Sequence, residues 1–253
     1  MWNKGKISLI GAGPGDPELL TLKGLRVIQS AEVICYDALI NSELLNHNPQ
    51  AEKIFVGKRR GFQQKSQTEI NQLLVSFAAA GKKVVRLKGG DPMVFGRACE
   101  ELKAAQLFNI PTEVIPGISS YAGIAAQHQI PLTQRNQSQG FWVVTGHTAA
   151  GGLSEDITLA AQSSATIVIL MGMRFLKEIM AVFAQHKPSD YPVAIVQNGT
   201  TKATISLVSQ LDQIVEEVEK NKIGNPAVIF LGPSVSATVT RFQKLITPTA
   251  CTL

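Results

Sequence analysis

The stretch "VVRLKGGDPMVFGR", Val84 to Arg97, places a carboxylate beside an opening in the chain. Gly89 and Gly90 are free to take positive φ and put no side chain before an approaching molecule. Asp91 follows with a charge, and Pro92 suits the first position of a helix, where no N–H partner is needed. The group reads either as a tight strand-to-helix turn or as the floor of a ligand site. A second such place is "GAGPGD", Gly11 to Asp16, close to the G-x-G-x-x-G pattern that cradles dinucleotides, with Asp37 about where a ribose-binding acid belongs. Here Asp16 replaces the third glycine and would face a pyrophosphate with negative charge, while Pro14 removes an N–H donor from the loop. Asp91 is an equally poor neighbour for phosphate and a good one for ribose hydroxyls or a cationic group. A ligand made of adenosine, an amino acid and a sulfonium centre suits these acidic loops better than NAD does.

Such turns need rigid elements behind them. "KISLIGAG" is a short apolar run ending in glycine, and "ELLTLKGLRVIQSA" (Glu18 to Ala31) carries apolar residues at helical spacing. "EVICYD", "EKIFVG", "KVVRLKGG" and "PTEVIPG" read as strands, with "QTEINQLLVSFAAAG" and "VFGRACEELKAAQLF" as helices between them. Continuous apolar strands separated by helices predict a parallel sheet covered on both faces. A polar run, "PLTQRNQSQG", ends this half. Beyond it the alternation restarts in "FWVVTGH", "ATIVILMG", "PVAIVQNGT", "TISLV", the amphipathic "QIVEEVE" and "NPAVIFLG". The expectation is two α/β lobes, residues 1–135 and 136–253. The special turns recur at the strand ends of both, where ligands bind in open α/β sheets, which points to a cleft between the lobes.

Composition narrows the partners. The 253 residues are 45% hydrophobic and 17% charged, as in a packed protein rather than a disordered one. Apolar runs such as "ATIVILMGM" fall short of the roughly 18 residues that span a bilayer. "MWNKGKISLI" shows no cleavable leader pattern, and a cytoplasmic location is expected. Cys35, Cys99 and Cys251, like His47, His128, His147 and His186, are scattered, which predicts neither a disulfide framework nor a metal site. The net charge of +5 asks for an anionic partner. Aromatics are only 6% and no basic helix appears, so a small polyanion fits better than nucleic acid. Its candidate contacts are Lys58, Arg59, Arg60, Arg86, Lys88, Arg97, Arg135 and Arg174, all near glycine turns.

Taken together, "GAGPGDPELLTLKG", "CYDALI", "VGKR", "VRLKGGDPMVFGR", "PGISS", "PLTQR", "TGH", "LMG", "QNGT" and "NPAVIFLG" resemble the tetrapyrrole methylases over nearly the whole chain, from about Ile7 to Gly232. The resemblance implies a homodimer that holds S-adenosylmethionine and, without a metal, methylates uroporphyrinogen III to precorrin-2 for sirohaem or cobalamin. Methylation of a later precorrin is the alternative within the family, and an NAD-dependent oxidoreductase using Gly11, Gly13 and Asp37 the alternative outside it. By motif position the cofactor contacts implied are Pro14, Gly89, Gly90, Asp91, Val94, Ser119, Ser120, Met171, Gly199 and Ala227. Asp37 matches the family's proton acceptor and Lys58 its proton donor. Arg59, Arg60, Arg97 and Arg135 would meet substrate carboxylates. Asp37 could instead cap a helix, Lys58 could bind a carboxylate, and Met171 and Val94 could be core. "PLTQR" departs from the family in having Gln134 where histidine is usual, so a group that does not titrate near neutrality stands there. No dehydrogenase or chelatase module precedes Ile7, which suggests a stand-alone methylase.

Overall fold

Apolar residues on both faces of short β-branched runs dictate strands buried on both sides, and the first half of the chain builds them into one sheet. The computed structural model describes residues 5–57, 65–148 and 151–235. Five strands, β1 (Lys6–Gly11), β2 (Val33–Tyr36), β3 (Glu52–Phe55), β4 (Lys83–Lys88) and β5 (Thr112–Ile115), pair in the order β3-β2-β4-β1-β5. Every pairing is parallel, as expected. Side chains alternate between two cores. Ile7, Leu9, Val33, Cys35 and Val84 pack with α2 (Gln67–Ala79) and α3 (Ala98–Leu107), whereas Ile10, Ile34, Val85 and Leu87 pack with Ile28 of α1 (Leu22–Gln29). Parallel strands put all their carboxyl ends on one edge, and the adjacency of β4, β1 and β5 sets the turns after those three side by side.

Local hydrogen bonding moves two helix starts. Asp16 accepts the Glu18 N–H and caps a single 3₁₀ turn, Pro17–Leu19; Thr21 then accepts the Gly24 N–H, so α1 begins at Leu22 rather than Glu18. Pro92 does not open a helix. Phe95 and Arg97 both sit at positive φ, 50° and 57°, and α3 starts only at Ala98. In contrast, α2 begins with a full capping box between Ser66 and Glu69, the S-x-x-E signature of its sequence.

The chain divides into two compact units, Met1–Gly123 and Ile124–Leu253, at the first turn of α4 (Ser120–Gln127). The second unit contains β6 (Phe141–Thr145), α5 (Asp156–Gln162), β7 (Thr166–Leu170), α6 (Leu176–Ala184), β8 (Pro192–Gln197), β9 (Ile205–Gln210), α7 (Ile214–Lys220) and β10 (Ala227–Leu231). Its sheet order is β6-β7-β10-β8-β9, and only β6 and β7 are parallel. β10 runs antiparallel to both neighbours, and β8 and β9 form a hairpin. One core joins Ile167, Ile169, Val193, Ile195, Ile229 and Leu231 to Ile157, Ile179, Phe183, Ile214 and Val218 of the three helices. Ser138, in the polar run before β6, is buried and tied in: its hydroxyl accepts the Thr166 N–H at 2.9 Å and donates to the Gly140 carbonyl at 2.8 Å.

Candidate active site

In the first unit three glycines from three strand ends meet backbone to backbone. A Cβ on Gly11 would stand 2.5 Å from Gly117 Cα and 2.6 Å from Gly90 O, and one on Gly117 would stand 2.3 Å from Gly90 O. No side chain fits at either place. The β1 and β4 turns are further joined by a pair of hydrogen bonds, Gly90 N to Gly13 O at 2.8 Å and Gly13 N to Gly90 O at 3.3 Å. Asp91 locks the third turn on. Its Oδ1 accepts the Met93 N–H at 2.8 Å and its Oδ2 the Gly117 N–H at 3.0 Å, so this carboxylate first of all holds the β4 and β5 turns together. Val94 closes the same turn, its N–H donating to Asp91 O, and is half-buried.

Gly90 differs from the other two glycines. It has φ +67°, and the nearest atoms to a Cβ there would be Ser120 N at 3.6 Å and Ser119 Cα at 3.8 Å. This is ordinary contact distance, so a Cβ on Gly90 would meet the Ser119–Ser120 entry of α4 without a clash. Pro14 packs on the same helix, since a Cβ on Gly123 would meet its Cγ at 2.7 Å. Gly89 lets the turn after β2 come close, for a Cβ there would lie 2.8 Å from Leu39 Cβ.

Asp37 begins that turn. Its Oδ1 accepts the Leu39 N–H at 3.0 Å, and its Oδ2 pairs with Arg86 Nη2 at 3.5 Å. No helix starts there; the next cap is Asn41, ahead of the 3₁₀ segment Ser42–His47, so Asp37 is not a helix cap. Arg86 and Lys88 do not face solvent as the sequence suggests. Along β4, Val84, Arg86 and Lys88 share one face, and both cations turn into the space before α3, where Glu101 receives them. Burial and the Arg86 charge hold the Lys88 ammonium below its usual range against the opposing pull of Glu101. Glu101 is absent from the sequence-derived site, although its phase with Ala98 and Ala105 on the buried stripe of α3 marks it.

Arg97 is exposed and makes a two-pronged pair with Glu100, 2.7 Å at each contact. Arg135 is exposed as well. Gln134 O is bridged to Ser138 N, but its side-chain Oε1 is buried with no hydrogen-bond partner among the described residues. Lys58, Arg59 and Arg60 lie outside the described residues.

In the second unit the turns after β6 and β7 abut, a Cβ on Gly146 falling 2.4 Å from Gly172 Cα. Met171, between β7 and that glycine, has φ +57° and is 43% exposed, so its thioether is not part of the core. Its carbonyl lies 3.3 Å from His147 Nδ1. Gly199 is buried because Ile124 of α4 leaves it no space: a Cβ would stand 2.4 Å from Ile124 Cγ1. Ala227 opens β10 and is half-buried.

Residues 6–215 match the family model for tetrapyrrole (corrin/porphyrin) methylases. The uroporphyrinogen-III C-methyltransferase of Methanocaldococcus jannaschii is 46% identical over 235 residues, which cover 92% of this chain and 97% of that protein. The sirohaem synthase of Hydrogenovibrio crunogenus is 40% identical over 243 residues; the match takes in 95% of this chain and 51% of that longer protein. Among solved structures, uroporphyrin-III C-methyl transferase from Thermus thermophilus, complexed with S-adenyl homocysteine, superposes with a TM-score of 0.80 at 37% identity, covering 92% of this chain and all of that one. A cobalt precorrin-4 methyltransferase superposes with a TM-score of 0.82 at 27% identity, covering 91% and 95%. By sequence and by fold, then, this chain belongs to the tetrapyrrole methylases.

Proposed function

We propose that the chain is an S-adenosylmethionine-dependent C-methyltransferase that adds two methyl groups to uroporphyrinogen III, giving precorrin-2 for sirohaem or cobalamin. The observation that carries the reading is the 46% identity to a uroporphyrinogen-III C-methyltransferase over 97% of that protein's length. The geometry of the first unit agrees with the cofactor. A bare Gly90 next to Ser119 and Ser120, with the acidic Asp91 beside it, suits an adenosine and an amino acid better than a pyrophosphate. When bound, S-adenosylmethionine supplies an electrophilic methyl group on a sulfonium sulfur.

The chain's own residues do the rest. By motif position, Pro14, Gly89, Gly90, Asp91, Val94, Ser119, Ser120, Met171, Gly199 and Ala227 would contact the cofactor. Asp37 presents a carboxylate at a strand end. There it stabilises the positive charge that develops on a pyrrole as its ring electrons are used, and then takes the proton whose loss restores conjugation. Lys58 would return a proton or bind a substrate carboxylate. Arg59, Arg60 and Arg135 would meet the polyanionic substrate, and Arg97 would do so by exchanging its Glu100 partner for a substrate carboxylate. The working form is a homodimer in the cytoplasm; among the described residues no helix is long and apolar enough to cross a membrane.

The test is anaerobic incubation of purified protein with uroporphyrinogen III and S-adenosylmethionine. Mass spectrometry should show a gain of two methyl groups. The likeness to a cobalt precorrin-4 methyltransferase favours one second reading, a later precorrin as substrate; methyl gain on that substrate alone would establish it. Binding of NAD in place of S-adenosylhomocysteine would remove both.

A further inference from the structure

Four charges of the first unit form a line that starts at Asp37 and ends inside the protein. Asp37 Oδ2 meets Arg86 Nη2 at 3.5 Å; Arg86 Nε donates to Glu101 Oε1 at 3.0 Å; Lys88 Nζ donates to both Glu101 oxygens, each at 3.0 Å. Gln67 Nε2 adds a longer contact to Glu101 at 3.3 Å. Side-chain exposure is 22% for Asp37 but only 5%, 4% and 0% for Arg86, Lys88 and Glu101. The line carries two positive and two negative charges, so it is neutral as a whole.

Buried ions are a poor way to stabilise a core. Stripping water from them costs more than their attraction returns unless the geometry is very good, and apolar residues of like volume often serve as well or better. Val84 shows that this face of β4 can be apolar. What the charges add is orientation. The Arg86 guanidinium is held at Nε by Glu101 and at Nη1 by the Leu87 carbonyl at 2.9 Å, which leaves Nη2 directed at Asp37. Lys88 holds both oxygens of Glu101, and it is itself pinned beneath the turn after Asp91, where a Cβ on Gly96 would lie 3.3 Å from its Cε.

We propose that Glu101 and Lys88 are positioning residues for the methyl-transfer reaction, fixing the Arg86 guanidinium and through it the Asp37 carboxylate. The inference rests on the reading of Asp37 as the reacting carboxylate. The variant that tests it is the pair Lys88→Met with Glu101→Gln, which removes one charge of each sign and leaves Arg86 and Asp37 balanced. Three measurements belong together: S-adenosylhomocysteine binding by calorimetry, single-turnover methyl transfer to uroporphyrinogen III at saturating cofactor, and the same transfer with Asp37→Asn added. Expected are binding within about twofold of wild type and transfer slowed about 10- to 100-fold, the cost of a reacting group displaced by about an ångström. On the Asp37→Asn background the pair should add less than about twofold, because its effect passes through Asp37. Glu101→Asp keeps every charge and draws the carboxylate back by one methylene; it should slow transfer in the same way and covers the case in which the paired variant does not fold. Wild-type transfer in either variant overturns the inference, and so does a full effect of the pair on the Asp37→Asn background, which would mark a merely structural role. If Asp37→Asn alone transfers methyl at the wild-type rate, it is the reading of Asp37 that fails, and this inference with it.

Discussion

Replacing Asp91 by alanine removes a side chain that ties the β4 turn to the β5 turn, and its cost can be worked from two bonds. The carboxylate accepts the Met93 N–H at 2.8 Å and the Gly117 N–H at 3.0 Å. A hydrogen bond to a charged group contributes about 1.5–3 kcal/mol. Asp91 is half-buried, so water can replace part of what is lost and the low end applies to each bond. The sum is about 2–3 kcal/mol of folding stability, or roughly 5–10 °C in Tm for a chain of this size. Asp91→Asn gives an internal check. It keeps an acceptor for Met93 but turns an NH₂ toward the Gly117 N–H, donor against donor, so it should lose about half as much. Urea unfolding followed by circular dichroism reads both values, with calorimetric titration of S-adenosylhomocysteine run alongside. Stability of Asp91→Ala within ~0.5 kcal/mol of wild type, below the contribution of even one such bond, would refute the bracing role and leave the carboxylate free for the ligand alone.

Gly90→Val puts a β-branched residue at φ +67°, which costs about 1–2 kcal/mol in backbone strain, and sets its methyls against Ser119 and Ser120; calorimetry should find S-adenosylhomocysteine binding lost, while Gly140→Ala, with nothing within 4 Å of the new methyl, should bind as wild type. Asp37→Asn should lower single-turnover methyl transfer at least ~100-fold, the low end for a general acid–base group, with S-adenosylhomocysteine affinity unchanged. Burial pushes the Cys35 thiol up to about 12 from an ordinary value of 9.0. Iodoacetamide at pH 8 should therefore label the exposed Cys99 quickly and Cys35 only on unfolding, as read by mass spectrometry of the peptides. The sign of the linked stability follows: the unfolded thiol ionises first, so Cys35 makes the protein less stable as pH rises from about 9 to 12, which urea midpoints across that range would show.

The glycine turns could be read in the chain because their constraints are local. A glycine that must take φ +67°, as Gly90 does, or a turn that admits no side chain, as at Gly11 and Gly117, leaves its mark in the residue itself. The parallel first sheet was legible for a similar reason: strands buried on both faces need continuous apolar runs with helices between them. Direction in the second sheet was not, since β8, β9 and β10 look the same whether they run parallel or antiparallel to their neighbours, and only the β8–β9 hairpin and the pairing of β10 decide it.

Side-chain roles divide along the same line. The types Asp91, Asp37, Arg86 and Lys88 stand plainly in the sequence, but their partners lie far along it. Asp91 turned out to brace Gly117, and Asp37 to pair with Arg86 rather than cap a helix. Arg86 and Lys88 stood among the candidate contacts for an anionic substrate, and Glu101 was not singled out. Their meeting in the interior depends on α3 crossing the face of β4 that carries both cations, a register that packing sets and no neighbouring residue announces. From the residues alone one could read where the backbone must bend, because φ and steric room belong to the residues at each turn. Which charges meet one another was settled only when distant elements packed together, because burial and pairing belong to the assembled fold and not to any one stretch of chain.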